Sequence, residues 1–159
     1  MDLAGVGNDG ERVVVTEEEL QRMIIELAAR IDVDYHDRDL LLVGVLKGAV
    51  MAMADLARAL QRHVEMDWMA VSSYGSGTKS SGVVRILKDL DRDITGREVL
   101  IVEDIVDSGL TLSWMKSNLE SRGAKSVEIL AILRKSDAAK VDVPVKYVGF
   151  EIPSDFVVG

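Results

Sequence analysis

The chain has 159 residues, 27 acidic against 19 basic for a net charge of −8, and no cysteine. That length suits one domain able to bury a sizeable core; the charge argues against a general nucleic-acid binder, and the lack of thiols excludes disulfides and fits a reducing cytosol. The opening MDLAGVGNDG lacks the basic region and apolar core of a secretion signal, and no apolar run approaches the roughly 18 residues that span a bilayer, so a cytoplasmic protein with no membrane partner is expected.

Residues 1–10 read as a flexible tail ahead of a single domain over 11–159, which opens with a short strand at 13–15. Thr16 with Glu19 three positions on is a capping box, and Leu20, Met23, Ile24, Leu27, Ala28 and Ile31 then recur at helical spacing. LLLVGVL (40–46) is a buried strand, followed by Lys47-Gly48 and a helix whose apolar stripe reads as Val50, Met53, Ala54, Ala57 and Leu60. Strands are expected at 65–73, 83–88, 97–105, 126–135 and 145–152. The Gly/Ser-rich YGSGTKSSG (74–82) forms a loop, and a helix from Thr111 to about Ser121 stops at Arg122-Gly123. Strands alternating with helices imply βαβ units and a mainly parallel sheet. Trp68, Trp114 and the methionines Met51, Met53 and Met66 read as core. His36 and His63 have no partner at metal-ligand spacing and read as surface residues.

The stretch VLIVEDIVDSGLTL (99–112) is the most informative in the chain. Val99 to Val102 form a strand buried on both faces, so Glu103, Asp104 and Asp107 fall near its carboxyl end, where open α/β sheets place ligands. Ser108-Gly109-Leu110-Thr111 offers backbone N–H groups and two hydroxyls at the head of a helix, a ready phosphate site. One acid in such a turn reads as a helix cap. Three acids joined to Ser-Gly-x-Thr point instead to a sugar phosphate held with a divalent cation.

This stretch resembles the phosphoribosyl-diphosphate (PRPP) motif of the type I phosphoribosyltransferases, in their hypoxanthine-guanine branch. The resemblance implies a central, mainly parallel sheet flanked by helices, with a small hood formed by the chain's ends. It implies transfer of a 5-phosphoribosyl group from PRPP to hypoxanthine or guanine, giving IMP or GMP and pyrophosphate with Mg²⁺. It further implies that Ser108, Gly109, Leu110 and Thr111, with Asp107, grip the 5-phosphate, and that Glu103 and Asp104 meet the ribose hydroxyls, directly or through Mg²⁺. Asp107 would also be the catalytic base at purine N7. Leu46-Lys47-Gly48 matches the loop that meets pyrophosphate through backbone groups and contains a non-proline cis peptide. Ser73 and Tyr74 match the Ser-Tyr pair of a lid that closes over pyrophosphate. Lys135 matches the lysine that donates to the purine 6-oxo group, Phe156 the stacking aromatic, and Val157 a residue whose backbone reads the ring edge.

Relatives usually continue beyond the position of Gly159 with an aspartate for a second Mg²⁺ and an arginine for pyrophosphate, so the chain is expected to lack that segment. A homodimer or homotetramer is the family expectation. Three other readings stand beside this one. A transferase preferring xanthine would also satisfy Lys135. A pyrimidine regulator of the same fold that binds RNA is opposed by the net charge of −8. A receiver-like module leaves Leu46-Lys47-Gly48 and Phe156 unexplained.

Overall fold

The computed structural model describes residues 3–4, 14–72 and 84–155. Thr16 caps helix α1 (Glu17–Asp34), its Oγ1 accepting from the Glu19 N–H at 3.1 Å. Glu17, Glu18 and Glu19 fill the first turn, where carboxylates complement the exposed N–H groups. The predicted stripe is the buried one: Met23, Ile24, Leu27, Ala28 and Ile31 all face the core. Before it, β1 (Leu3–Ala4) pairs antiparallel with β2 (Val14–Val15), so residues 3 and 4 of the stretch read as a tail take part in a ladder.

Six further strands make one sheet: β3 (Leu40–Val45), β4 (Glu65–Val71), β5 (Ile86–Lys88), β6 (Glu98–Val106), β7 (Ser126–Arg134) and β8 (Tyr147–Glu151), in the order β5-β4-β3-β6-β7-β8. All neighbours are parallel except β5, which runs antiparallel to β4 at one edge. The central strands are buried on both faces: all six residues of β3, and of β6 the apolar Val99 to Val102 headed by the buried Glu98, which accepts from Arg38 Nη1 at 3.1 Å. Helix α2 (Val50–Ala59) links β3 to β4, and α3 (Leu110–Ser121) links β6 to β7. These two crossovers step outward in opposite directions from the β3-β6 pair. Right-handed connections therefore place α2 and α3 on opposite faces, and make the carboxyl ends of β3 and β6 the switch point where open sheets bind ligands. Helix α3 ends at Arg122, and Gly123 adopts φ 85° there, the expected glycine stop.

Two packing expectations are overturned. Of the stripe expected on helix α2, Met53 and, at its C-cap, Leu60 are buried, but Ala52 and Leu56 complete the buried face, while Val50 is 42% exposed and Ala54 also faces outward. The cause lies at Gly44, where an added Cβ would sit 2.7 Å from both Met53 Cγ and the Trp68 ring. That bare backbone draws Met53 inward and sets the rotation of the helix. Nor are the methionines a common core group: Met53 is fully buried, but Met51, on the outer face of α2, and Met66, near the start of β4, are 63% and 41% exposed.

Candidate active site

At the switch point β3 runs into Leu46-Lys47-Gly48, and the Leu46–Lys47 peptide is cis. The Leu46 N–H donates to Met69 O of β4 at 3.0 Å, and the Val50 N–H donates to Lys47 O at 3.2 Å, so the loop is tied to the sheet and to the start of α2. Lys47 and Gly48 are exposed. Gly48 lies against the next strand, for a Cβ added there would be 3.7 Å from Asp104 Cβ and 4.0 Å from its Oδ2. The loop after β3 and the acids of β6 thus meet across the switch point.

The strand β6 continues through Val106, so Glu103 and Asp104 stand on its last turn of pleat rather than beyond it. Glu103 Oε1 accepts from the Asp104 N–H at 2.8 Å. Burial, with a smaller contribution from the Asp104 charge, pushes the Glu103 carboxyl up to about 7, against that N–H hydrogen bond. Burial also raises Asp104. Among the described residues neither carboxylate stands in an ion pair, so two adjacent desolvated acids sit without a direct cationic partner.

Asp107 follows as an exposed residue, and Lys135, at the end of β7, brings Nζ to 4.0 Å from Asp107 Oδ2 with its side chain only 14% exposed. The parallel pairing of Val106 with Arg134, and the Lys135 N–H to Val106 O bond at 2.9 Å, hold these two residues side by side. Their sequence separation gives no hint of that.

The turn at 108–111 opens α3. Gly109 is its N-cap, with φ 81°, and Ser108 Oγ accepts from the Leu110 N–H at 3.3 Å. A cavity of about 690 Å³ is lined here by Gly48, Glu103, Asp107, Ser108, Gly109 and Thr111, among others. Sequence reasoning missed the segment that closes its far wall. Lys140 N–H donates to Ser108 O at 2.9 Å, Lys140 lines the same cavity, and Val141 and Val143 pack behind Gly109. Asp137 and Pro144 mark this stretch as a turn region, but nothing in the sequence says where it docks.

Seven of the predicted site residues therefore border or abut one cleft: Gly48, Glu103, Asp104, Asp107, Ser108, Gly109 and Thr111. The Leu110 N–H donates to Ser108 Oγ in the same turn, and Lys135 lines a smaller adjoining cavity of about 160 Å³ that shares Asp107. Ser73, Tyr74, Phe156 and Val157, and the hood expected from the chain's ends, lie outside the described residues, save for Leu3–Ala4 and residues near 155. His36 is exposed, 3.2 Å from Asp37, and His63 is exposed; neither is near the cleft lining.

Residues 15–159 match the model of the phosphoribosyl transferase domain. A hypoxanthine-guanine phosphoribosyltransferase of Mycobacterium tuberculosis (strain ATCC 25618 / H37Rv) is 57% identical over 157 residues, covering 95% of this chain and 78% of that protein. The enzyme of that name from Bacillus subtilis (strain 168) is 49% identical over 152 residues, covering 96% and 84%. Among solved structures, a hypoxanthine phosphoribosyltransferase from Staphylococcus aureus superposes with a TM-score of 0.82 at 44% identity, covering 87% of this chain and 75% of that one. Sequence, sheet order and the cleft at the switch point agree, and the chain belongs to the phosphoribosyl transferase family.

Proposed function

We propose that this chain transfers the 5-phosphoribosyl group of PRPP to N9 of hypoxanthine or guanine, giving IMP or GMP and releasing pyrophosphate. The observation that carries the reading is the shared cleft: Glu103, Asp107 and the Ser108–Thr111 turn line one cavity at the switch point. The names of its relatives, at 57% and 49% identity, support the same base specificity.

The roles are those that the family's motifs imply, supported by charge and geometry where the residues are described. The N–H groups that open α3, with the Ser108 and Thr111 hydroxyls, grip the 5-phosphate, aided by the equivalent of roughly half a positive charge at a helix N-terminus. Glu103 and Asp104 face the ribose hydroxyls. As the bond from the anomeric carbon to pyrophosphate breaks, positive charge develops on the ribose ring, and N9 of the purine attacks that carbon. The proton on N7 passes to Asp107, and Lys135 donates a hydrogen bond to the 6-oxo group. Adenine, whose 6-amino group cannot accept that bond, is disfavoured. The Lys47-Gly48 loop, with Ser73 and Tyr74, receives the departing pyrophosphate. Phe156 stacks on the purine, and the Val157 backbone reads the ring edge.

Mg²⁺ fits this site. Its donors would be Glu103 and Asp104, hard oxygen ligands that are desolvated and unpaired. Among the described residues there is no cage of three or more acidic, His or Cys ligands, which suits an ion that completes its shell with substrate oxygens and water. When bound, it neutralises charge on PRPP and its leaving group. We further propose that the protein works in the cytoplasm as a homodimer or homotetramer. Among the described residues no helix is long and apolar enough to cross a membrane, and the outward-facing Val50 and Met51 offer apolar surface for self-association.

A spectrophotometric assay with PRPP, Mg²⁺ and each of hypoxanthine, guanine, xanthine and adenine tests the reading. Turnover is expected with the first two and not with adenine. No turnover with either hypoxanthine or guanine would refute it.

A further inference from the structure

The end of β7 and the end of β8 are stitched together on both sides of Lys135. Arg134 Nε donates to Glu151 Oε1 at 2.7 Å, and Arg134 Nη2 donates to the same oxygen. Ser136 Oγ donates to the other carboxylate oxygen, Oε2. One carboxylate thus holds the residue before Lys135 and the residue after it. The backbone repeats the pattern: the Ile152 N–H donates to Arg134 O at 2.9 Å, and the Ser154 N–H to Asp137 Oδ2 at 3.2 Å. The Arg134 hydrogen bond, first, and the Ser136 bond hold the Glu151 carboxyl below the usual carboxylate range, against the effect of burial. It is charged at neutral pH, with both oxygens engaged.

Exposed ion pairs contribute little to stability, and Glu151 is 49% exposed, so a purely stabilising role is a poor account of this arrangement. Its geometry has a more specific consequence. Lys135 carries four rotatable side-chain bonds, and the direction of its ammonium depends on the backbone from which it springs. With residues 134 and 136 fastened to one carboxylate, that backbone has little freedom, and Nζ stays beside Asp107.

We propose that Glu151 is a positioning residue for purine recognition: its carboxylate clamps Arg134 and Ser136 and so aims Lys135 at the base that Asp107 serves. This rests on the transferase reading above. It adds a specificity determinant that touches neither substrate and sits a strand away from the residue it governs.

The test is steady-state kinetics of Glu151→Ala, Glu151→Gln and Ser136→Ala, with circular dichroism and thermal melts as fold controls. In Glu151→Ala the KM for hypoxanthine should rise about tenfold, the order of one well-aimed hydrogen bond to a charged donor. The KM for PRPP should stay within about twofold, since the phosphate cradle is on α3. Discrimination against adenine should fall by a similar factor. Glu151→Gln, which keeps an acceptor for Arg134, and Ser136→Ala, which removes one arm at an exposed position, should give intermediate rises. Should Glu151→Ala fail to fold, these two carry the comparison. Equal rises in both KM values, a fall in kcat alone, or parental kinetics in all variants would overturn the proposal while leaving the activity standing. An inactive parent chain would instead refute the transferase reading.

Discussion

Replacing Gly109 by alanine would probe the proposed phosphate-binding turn through its backbone. The residue sits at φ 81°, and a Cβ added there would lie 3.0 Å from Val143 Cγ1 and 3.4 Å from Val141 Cγ2. Two costs combine. An L-residue in the left-handed region loses about 1 to 2 kcal/mol relative to glycine. A carbon–carbon contact of 3.0 Å is well inside the optimum of about 3.5 to 4.0 Å, so Val143 or the turn must move by several tenths of an ångström, an overpacking cost of about 1 kcal/mol or more. The sum, about 2 to 3 kcal/mol, should appear as a lower midpoint in urea unfolding followed by circular dichroism. Function should suffer too, because the Leu110 and Thr111 N–H groups move with the turn. A rise of about tenfold or more in the KM for PRPP is expected, since displacements of well under 1 Å already weaken aligned contacts. A double-mutant cycle with Val143→Ala separates the costs: measured against Val143→Ala, the Gly109→Ala change should cost less than it does in the parent, the clash being relieved and the backbone strain remaining. If Gly109→Ala matches the parent in both unfolding midpoint and KM for PRPP, the argument that this turn requires a bare backbone is wrong.

Three further outcomes are expected. Asp107→Asn should lower kcat by about 10² to 10⁴, the usual span for a lost general acid or base; an unchanged kcat would remove Asp107 from that role. Thr16→Ala deletes the side-chain acceptor for the Glu19 N–H and should cost about 1 kcal/mol in urea unfolding, with KM values unaltered because α1 begins away from the cleft. Burial, then the negative charges of Glu128, Glu98 and Asp34, push the Tyr35 hydroxyl from 10.0 up to about 12. A raised folded value means its stabilising contribution is complete below pH 10 and is lost as the pH climbs to about 12. Tyr35→Phe should therefore flatten the alkaline loss of stability. It should cost little at pH 8, since among the described residues the buried Tyr35 hydroxyl has no hydrogen-bond partner. Equal alkaline slopes for parent and variant in urea titrations at pH 8 to 11 would contradict this.

Much of the architecture is written locally. The Thr16 cap, the helical spacing from Met23 to Ile31 and the doubly buried runs of β3 and β6 announce their elements, because capping and burial periodicity act over a few residues. The turn that opens α3 is legible for the same reason: Ser108 to Thr111 are contiguous, and the backbone conformation that presents their N–H groups is a local matter. Periodicity says less about which face of a helix is buried when apolar residues surround it. On α2 the stripe through Val50 and Ala54 is as apolar as the one through Ala52 and Leu56, and the choice falls to Gly44 and Trp68, whose close approach to Met53 is made between elements.

The site divides along the same line. The chemical inventory is local and legible: paired acids at a strand end, a Ser-Gly-x-Thr turn at a helix head, a lysine after β7. The fold alone brings Gly48 against Asp104, sets Lys135 4.0 Å from Asp107, walls in Gly109 with Val141 and Val143, and lets Glu151 fasten both neighbours of Lys135. These contacts join residues many positions apart. They follow from the order and register of a parallel sheet, whose neighbouring strands are separated in the chain by a whole crossover, so no local pattern encodes them.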